Sequence, residues 1–321
     1  MLASAGIGAI IGFNDGFPAR FPDQAKHILE AVQDLPKLEG CEVIIPEQAG
    51  KTGLKTSICM IGASSPDEVT FAVWGDSHAE VLTPGIDAAA KRAGIGGILL
   101  YRHACPPLLE FDRLVEGKKE GCPDAASAAM AYLKGHPEIS HIFLISRWAI
   151  NAEGQGNEKQ WVSQFFTRDS LTESLSREEN KHVFRRSFEK TLAQLQSLGR
   201  RVVVVTSTPE IGWNVPAAGA RASIFNRDIE IRPSIKQYTD RQAFVTAVFN
   251  ENKERYGLSF IRPHEEMCDA GYCAVFDGGK PVYFDYHHIT KTYALKLSYL
   301  FDPIFQAMAH KQELPPRDAH N

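Results

Sequence analysis

Apolar positions along this chain fall either in short continuous runs or in a helical rhythm. Val69-Thr70-Phe71-Ala72-Val73-Trp74 is a short run of β-branched and aromatic residues, and it predicts a buried strand. Gly75 ends the run, and a helical pattern follows from about residue 79 to 93. Further strands are predicted at 97–101, 142–145, 201–205 and 258–261, with Val202-Val203-Val204-Val205 the clearest of them. Helices are predicted over 125–134, 182–198, 239–256 and 290–308. Helix 182–198 is amphipathic, with Phe184, Phe188, Leu192 and Leu195 on one face. The polar stretch 151–180 has little apolar periodicity and reads as a long loop with helical pieces. Residues 14–66 are rich in turn signals, with one helix around 22–35. Strands that alternate with helices predict a parallel sheet covered on both faces. The expected organisation is an N-terminal extension (1–66), one α/β domain (67–308) and a polar tail (309–321).

Composition changes this picture little. The chain has 321 residues, 44% of them hydrophobic and 23% charged, which is ordinary for a globular protein. A net charge of −4 leaves no electrostatic footprint for nucleic acid. No run of Lys and Arg marks a membrane-surface patch.

The cysteines say more. Six of them fall as three close pairs: Cys41 with Cys59, Cys105 with Cys122, and Cys268 with Cys273. None of the pairs has the tight spacing of a metal site. Local pairing suits disulfides and an oxidising compartment. Six buried free thiols in a cytosolic protein are the alternative, since connectivity cannot be read from sequence. Residues 2–13 are apolar, but too short to span a bilayer and without basic residues before them. They read either as a buried segment or as the stub after the last membrane helix of a longer protein.

Two segments carry chemistry. Gly75-Asp76-Ser77-His78 lies between the first strong strand and its helix, where ligands bind in open parallel sheets. Ser77 there faces the free N–H groups and positive dipole end of a helix, which suit a nucleophile and an oxyanion. A simple helix cap by Asp76 or Ser77 is the alternative. Near the other end, Asp285-Tyr286-His287-His288 precedes the final helix. A serine hydroxyl needs a base, and the base needs an acid to fix its tautomer. Asp285 and His288 supply both from one turn, with His287 competing for the base. A metal reading of the two histidines has no third ligand nearby in sequence.

Together these segments resemble the SGNH hydrolase superfamily. The resemblance rests on Gly75-Asp76-Ser77-His78 as a first block and Asp285-x-x-His288 as a last one. It implies a flavodoxin-like three-layer α/β/α fold with a parallel central sheet. It also implies a triad of Ser77 as nucleophile, His288 as base and Asp285 as orienting acid, with no cofactor or metal. The chain is most similar to one branch, the periplasmic SGNH domain fused to membrane acyltransferase family 3. Further likenesses are Gly16-x-x-x-Arg20, Cys105-Pro106-Pro107-Leu108, Arg147-Trp148-Ala149, Thr208-Pro209-Glu210-Ile211-Gly212, and Cys268 with Cys273. On this reading residues 2–13 follow the last membrane helix.

Two blocks depart from the superfamily. After the strand at 142–145 the chain reads Ser146-Arg147-Trp148-Ala149-Ile150-Asn151, with no Gly-x-Asn-Asp. No second-block glycine is identifiable, and Asn151 is not assigned. Arg147 and Trp148 are the candidates for oxyanion or substrate contact. A strand-end salt bridge and a packed core aromatic are their alternatives.

The resemblance implies O-acyl transfer, acetyl above all, to a carbohydrate hydroxyl of a bacterial surface polysaccharide such as lipopolysaccharide. The implied partners are a carbohydrate acceptor, an acyl donor and a fused or associated membrane acyltransferase domain. A carbohydrate esterase with the same triad, and a catalytically silent glycan-binding module, are the competing readings.

Overall fold

Alternation along the strands decides the layers of this protein. The computed structural model describes residues 21–44, 56–63, 69–156 and 165–312. Its first half runs through α1 (Asp23–Glu30), β1 (Cys41–Ile44), β2 (Thr56–Gly62), β3 (Val69–Gly75), α2 (Ser77–Arg92), β4 (Gly96–Tyr101), β5 (Asp112–Val115), β6 (Lys118–Lys119) and α3 (Cys122–Gly135). Then follow β7 (His141–Ile145), α4 (Trp148–Glu153), β8 (Phe165–Arg168), α5 (Arg177–Ser197), β9 (Arg201–Val205), α6 (Val215–Ile224), α7 (Ile235–Tyr256) and β10 (Ser259–Ile261). Short turns and hairpins lead to a final helical stretch, 291–312, in which a 3₁₀ turn over Leu297–Phe301 separates two α-helical pieces.

Seven strands form the main sheet in the order β1-β2-β4-β3-β7-β9-β10. β4, β3, β7, β9 and β10 run parallel, as the alternating pattern predicts. Phe71 and Val73 of β3 face one core, against Ile86 of α2 and Phe301 and Phe305 of the last helical stretch. Ala72 and Trp74 face the opposite core, among Leu133 of α3, Phe184 and Phe188 of α5 and Phe249 of α7. β9 repeats the device, with Val203 and Val205 on the first side and Val202 and Val204 on the second. The result is the three-layer α/β/α sandwich, because a period of two sends successive side chains to opposite faces.

The sheet is not wholly parallel. β2 runs antiparallel to β4, and β1 antiparallel to β2. These two strands, at 41–44 and 56–62, lie in the stretch read from sequence as a turn-rich extension. An antiparallel edge needs no crossover helix, so no alternation of strand and helix announces it. Met60 of β2 is half exposed, which blurs the alternation there as well. The stretch 151–180 also holds more order than a loop: β8 pairs with β5, which in turn pairs with β6. That pairing spans more than fifty residues of sequence, so local periodicity cannot show it. α5 begins at Arg177, where Ser176 accepts a hydrogen bond from the Glu179 N–H and caps it.

All three cysteine pairs close as disulfides: Cys41–Cys59, Cys105–Cys122 and Cys268–Cys273. The first joins β1 to β2 at directly paired positions. Loops of 17 or 18 residues gain about 3 kcal/mol each from such closure. The apolar stretch 2–13, the Gly16-x-x-x-Arg20 segment, the boundary at 66 and the tail beyond 312 lie outside the described residues. Among the described residues, no helix is long and apolar enough to cross a membrane.

Candidate active site

The site begins where β3 stops. A side chain at position 75 would place its Cβ 1.9 Å from the Ile145 carbonyl oxygen of β7, so only glycine permits this close approach. Asp76 then caps α2, its carboxylate accepting the His78 N–H at 2.8 Å. The same carboxylate accepts the Ser146 hydroxyl and the Arg147 N–H, the latter at 3.0 Å. The Asp76 turn is thereby tied to the end of β7. Burial pushes the Asp76 carboxyl above the usual carboxylate range, against the pull of these three donors. Ser77 is the first residue of α2, at its positive dipole end.

Two hundred residues later the chain returns to Ser77. The His288 Nε2 lies 2.8 Å from the Ser77 Oγ. The His288 Nδ1 lies 2.7 Å from Asp285 Oδ2. A carboxylate can only accept, so Nδ1 carries the proton and Nε2 offers a lone pair to the serine hydroxyl. Asp285 Oδ1 accepts the N–H groups of His287 and His288 at 2.9 and 2.8 Å. Burial raises the Asp285 carboxyl, but His288 and these N–H groups outweigh it and hold it below the usual range. The segment 285–288 is anchored in turn to the loop after β9, where Ile211 and Val215 N–H groups donate to the carbonyls of Tyr286 and Asp285.

With this geometry on the page, comparison with known proteins is direct. The model of the SGNH domain found fused to AT3 domains matches residues 41–303. The chain belongs to this family. Its fold is shared with the periplasmic domain of a lipopolysaccharide acetyltransferase from Salmonella ser. Paratyphi A, at 15% identity and a TM-score of 0.52. That likeness covers 75% of this chain and 84% of the other. A putative acylhydrolase from Bacteroides fragilis is more distant, at 12% identity and a TM-score of 0.39, covering 78% of this chain and 92% of the other. No curated protein matches the sequence. Membership places this SGNH domain among acyltransferases and esterases of the SGNH type.

Ser77 and His288 open onto a cavity of about 610 Å³ in the SGNH domain, lined also by Ala104, Arg113, Arg147 and Phe165. Arg147 is buried at its wall, and its Nε donates to Glu210 at 3.0 Å. Glu210 accepts Arg241 at 3.1 Å on its other oxygen. Burial would raise the Glu210 carboxyl, but the two guanidinium groups win and lower it to about 2. Trp148, by contrast, is not in the site. Its side chain is fully buried among Phe184, Phe188 and Phe249, with the indole N–H donating to the Val205 carbonyl at 2.8 Å. It sits on α4, one position past Arg147, and that step turns it into the opposite core. Asn151 is buried too, its amide nitrogen donating to Ser146 Oγ and the Arg147 carbonyl.

Some residues at the cavity had no signal in the sequence. Ala104, after β4, holds φ at 65°, a left-handed conformation that glycine takes more readily. Its carbonyl accepts a hydrogen bond from the Arg113 guanidinium, which lies 4.8 Å from the Phe165 ring centre. Burial lowers the Arg113 pKa to about 10. Arg113 reaches the cavity from β5, a strand the hydrophobic pattern did not predict.

His287 bonds to His78, and it is His288 that bonds to Ser77. The His78 and His287 ring nitrogens are 3.1 Å apart and the rings stack at 5.2 Å. The nearest ring nitrogens of His78, His287 and His288 lie within 4.8 Å of one another, so the fold supplies the third imidazole that sequence spacing did not. The four nitrogens that face partners already bond to Ser77, Asp285 and each other. Burial, then nearby positive charge, pushes both His78 and His287 well below the usual histidine range. The unfolded chain therefore binds more protons than the folded one below about pH 6.5, and stability falls with pH there. We expect a loss of up to about 1.4 kcal/mol per pH unit for each histidine. Urea midpoints measured from pH 7 to pH 5 check this, and His78→Gln should flatten the profile. A flat wild-type profile would contradict the assignment.

Proposed function

We propose that this SGNH domain transfers an acyl group, acetyl above all, to a hydroxyl of a bacterial surface polysaccharide through an acyl-enzyme on Ser77. The observation that carries the reading is the continuous hydrogen-bonded path from Asp285 through His288 to the Ser77 hydroxyl at the mouth of an open cavity. His288 Nε2 takes the Ser77 proton as Oγ attacks the acyl carbonyl, and Asp285 stabilises the imidazolium that forms. Collapse of the tetrahedral intermediate expels the donor's leaving group, which takes the proton back from His288. The sugar hydroxyl then repeats the attack, with His288 again as base. In this reading the Ser77 N–H, at the start of α2, is one oxyanion donor and the backbone at Ala104, which lines the same cavity, is the second. This reading dispenses with the family's missing glycine, because Ala104 adopts the conformation a glycine would supply.

Three disulfides and the family's fusion to AT3 domains support a periplasmic site next to a membrane acyltransferase domain that delivers the donor. The same acyl-enzyme resolved by water makes a carbohydrate esterase. A fluorophosphonate probe is expected to label the wild-type protein and not Ser77→Ala. Partition of the acetyl group between glycan and water, followed with increasing acceptor, then separates transfer from hydrolysis. Release to water that no acceptor reduces would reject transfer, and absence of labelling would reject the acyl-enzyme.

A further inference from the structure

Three imidazoles meet beside the catalytic serine. His78 follows the nucleophile in sequence, and His287 precedes the base. One ring nitrogen from each of His78, His287 and His288 lies within 4.8 Å of the other two. His78 is buried, the other two are half-buried, and all three line the open catalytic cavity. The relay from Asp285 to Ser77 runs through His288 alone. It gives His78 and His287 no part, yet the fold joins their rings across 209 residues of sequence.

Distances decide what the cluster suits. A tetrahedral Zn²⁺ ion bound at about 2.0–2.1 Å holds its ligand nitrogens roughly 3.3 Å from one another. His78 Nε2 and His287 Nδ1 are already 3.1 Å apart. The third nitrogen, on His288, lies within 4.8 Å of both, so it must close by roughly 1.5 Å at most to share an ion with them. The protons permit this. His288 Nδ1 donates to Asp285 Oδ2 at 2.7 Å, which leaves a lone pair on Nε2. In the His78–His287 pair one nitrogen donates and the other accepts. A change of tautomer in the donor presents both lone pairs with no change of charge.

Asp285 supplies a second, independent observation. Metal-binding histidines commonly donate the ring N–H away from the metal to a carboxylate, which fixes the tautomer and raises ligand basicity. His288 already has that carboxylate behind it. Imidazole ligands suit a divalent transition metal of the zinc class, whereas Mg²⁺ and Ca²⁺ take oxygen ligands. Arg113 and Arg147, which line the same cavity, oppose a further cation, so occupancy should be reversible.

We propose that His78, His287 and His288 form a Zn²⁺ site that switches the catalytic serine off. The bound ion takes the His288 lone pair that otherwise accepts the Ser77 proton, so metal binding and acyl transfer exclude each other. A fourth position, open to the cavity, is left for water. Metal binding stands on the three imidazoles, while the loss of catalysis rests on His288 as the base of the proposed function.

Binding is tested on metal-free Ser77→Ala protein, by calorimetric titration with Zn²⁺ and by the visible absorption of Co²⁺. One equivalent of Zn²⁺ should bind, Co²⁺ should show the band of a four-coordinate site, and Mg²⁺ should compete with neither. His78→Gln and His287→Gln should each weaken Zn²⁺ about a hundredfold or more, since each removes a ligand, and Asp285→Asn about tenfold. His136→Gln, at an exposed histidine bonded to Glu138, should change nothing. On wild-type protein, Zn²⁺ should slow fluorophosphonate labelling of Ser77, and EDTA should restore it. No Zn²⁺ binding or no Co²⁺ band on Ser77→Ala protein would overturn the site without recourse to any histidine variant. Binding untouched by both His78→Gln and His287→Gln would overturn it as well. Binding that leaves the labelling rate unchanged would overturn the switch. Wild-type protein that never labels, with Zn²⁺ binding still lost in the histidine variants, would instead overturn the acyl-enzyme and leave the metal site standing.

Discussion

His288→Ala is expected to lower the turnover of a small acetyl ester by about 10⁶-fold, and Ser77→Ala by about as much. The two act as one unit. His288 Nε2 is 2.8 Å from the Ser77 hydroxyl and supplies the lone pair that takes its proton. The double substitution should therefore be no worse than either single one. Asp285→Asn should cost less, about 10⁴-fold, because it leaves the turn in place but lets His288 settle in the wrong tautomer. The two N–H groups that Asp285 Oδ1 accepts can still bond to the Asn carbonyl, so this variant should keep its fold. His287→Ala is the informative contrast. His287 faces His78 rather than Ser77, and its loss should leave far more activity than the loss of His288. Initial rates of the five variants and the wild type on p-nitrophenyl acetate check this. Activity that survives in His288→Ala but vanishes in His287→Ala would reassign the base.

Glu210→Ala should destabilise the fold by about 3–5 kcal/mol, the range for breaking a buried ion pair by removing one partner. Glu210 is 7% exposed at its side chain, and its loss leaves the Arg147 and Arg241 guanidiniums beside each other without their shared carboxylate. Its depressed pKa makes part of this stability depend on pH. The folded value is about 2 against an ordinary 4.5, and this difference corresponds to about 3 kcal/mol. The sign follows from the depressed value. The stabilisation is complete above pH 4.5 and is lost as pH falls toward 2, when the folded carboxylate at last takes its proton. Urea unfolding of the wild type and Glu210→Ala at pH 7 measures the loss. The gap between the two proteins should narrow steadily below pH 4.5. Replacing all three partners with apolar residues of similar volume should restore much of the stability, since the cost comes from orphaned charge. A loss under about 1 kcal/mol in Glu210→Ala would show that water reaches this wall freely.

The stabilities of wall and relay are separable, and that matters for reading mutants. Arg147 belongs to the ion-pair wall through its side chain and to the Asp76 turn through its N–H. A side-chain substitution at Arg147 therefore tests the cavity and the wall together. Glu210→Ala keeps the Arg147 N–H bond to Asp76 and tests the wall alone.

Much of this protein is legible in the chain itself. The parallel strands, the helices between them and the covering of both sheet faces follow from local pattern, because each strand is a short continuous apolar run and each helix repeats within its own span. Gly75-Asp76-Ser77-His78 is legible for a similar reason: a strand end, a tight turn and a helix start are consecutive residues. Asp285 and His288 are legible because three residues of spacing put a carboxylate and an imidazole on one turn. Tertiary structure alone decided the rest. The antiparallel edge of β1 and β2 and the pairing of β5 with β8 join distant segments and leave no periodic trace. Trp148 and Arg147 are adjacent in sequence, yet the turn into α4 sends one to the core and the other to the cavity wall. His287 and His288 are adjacent too, and only their partners, His78 for one and Ser77 for the other, separate neighbour from base. Periodicity describes where a side chain points within its own element. Which groups then meet at one cavity depends on how the elements are packed, and that no local pattern records.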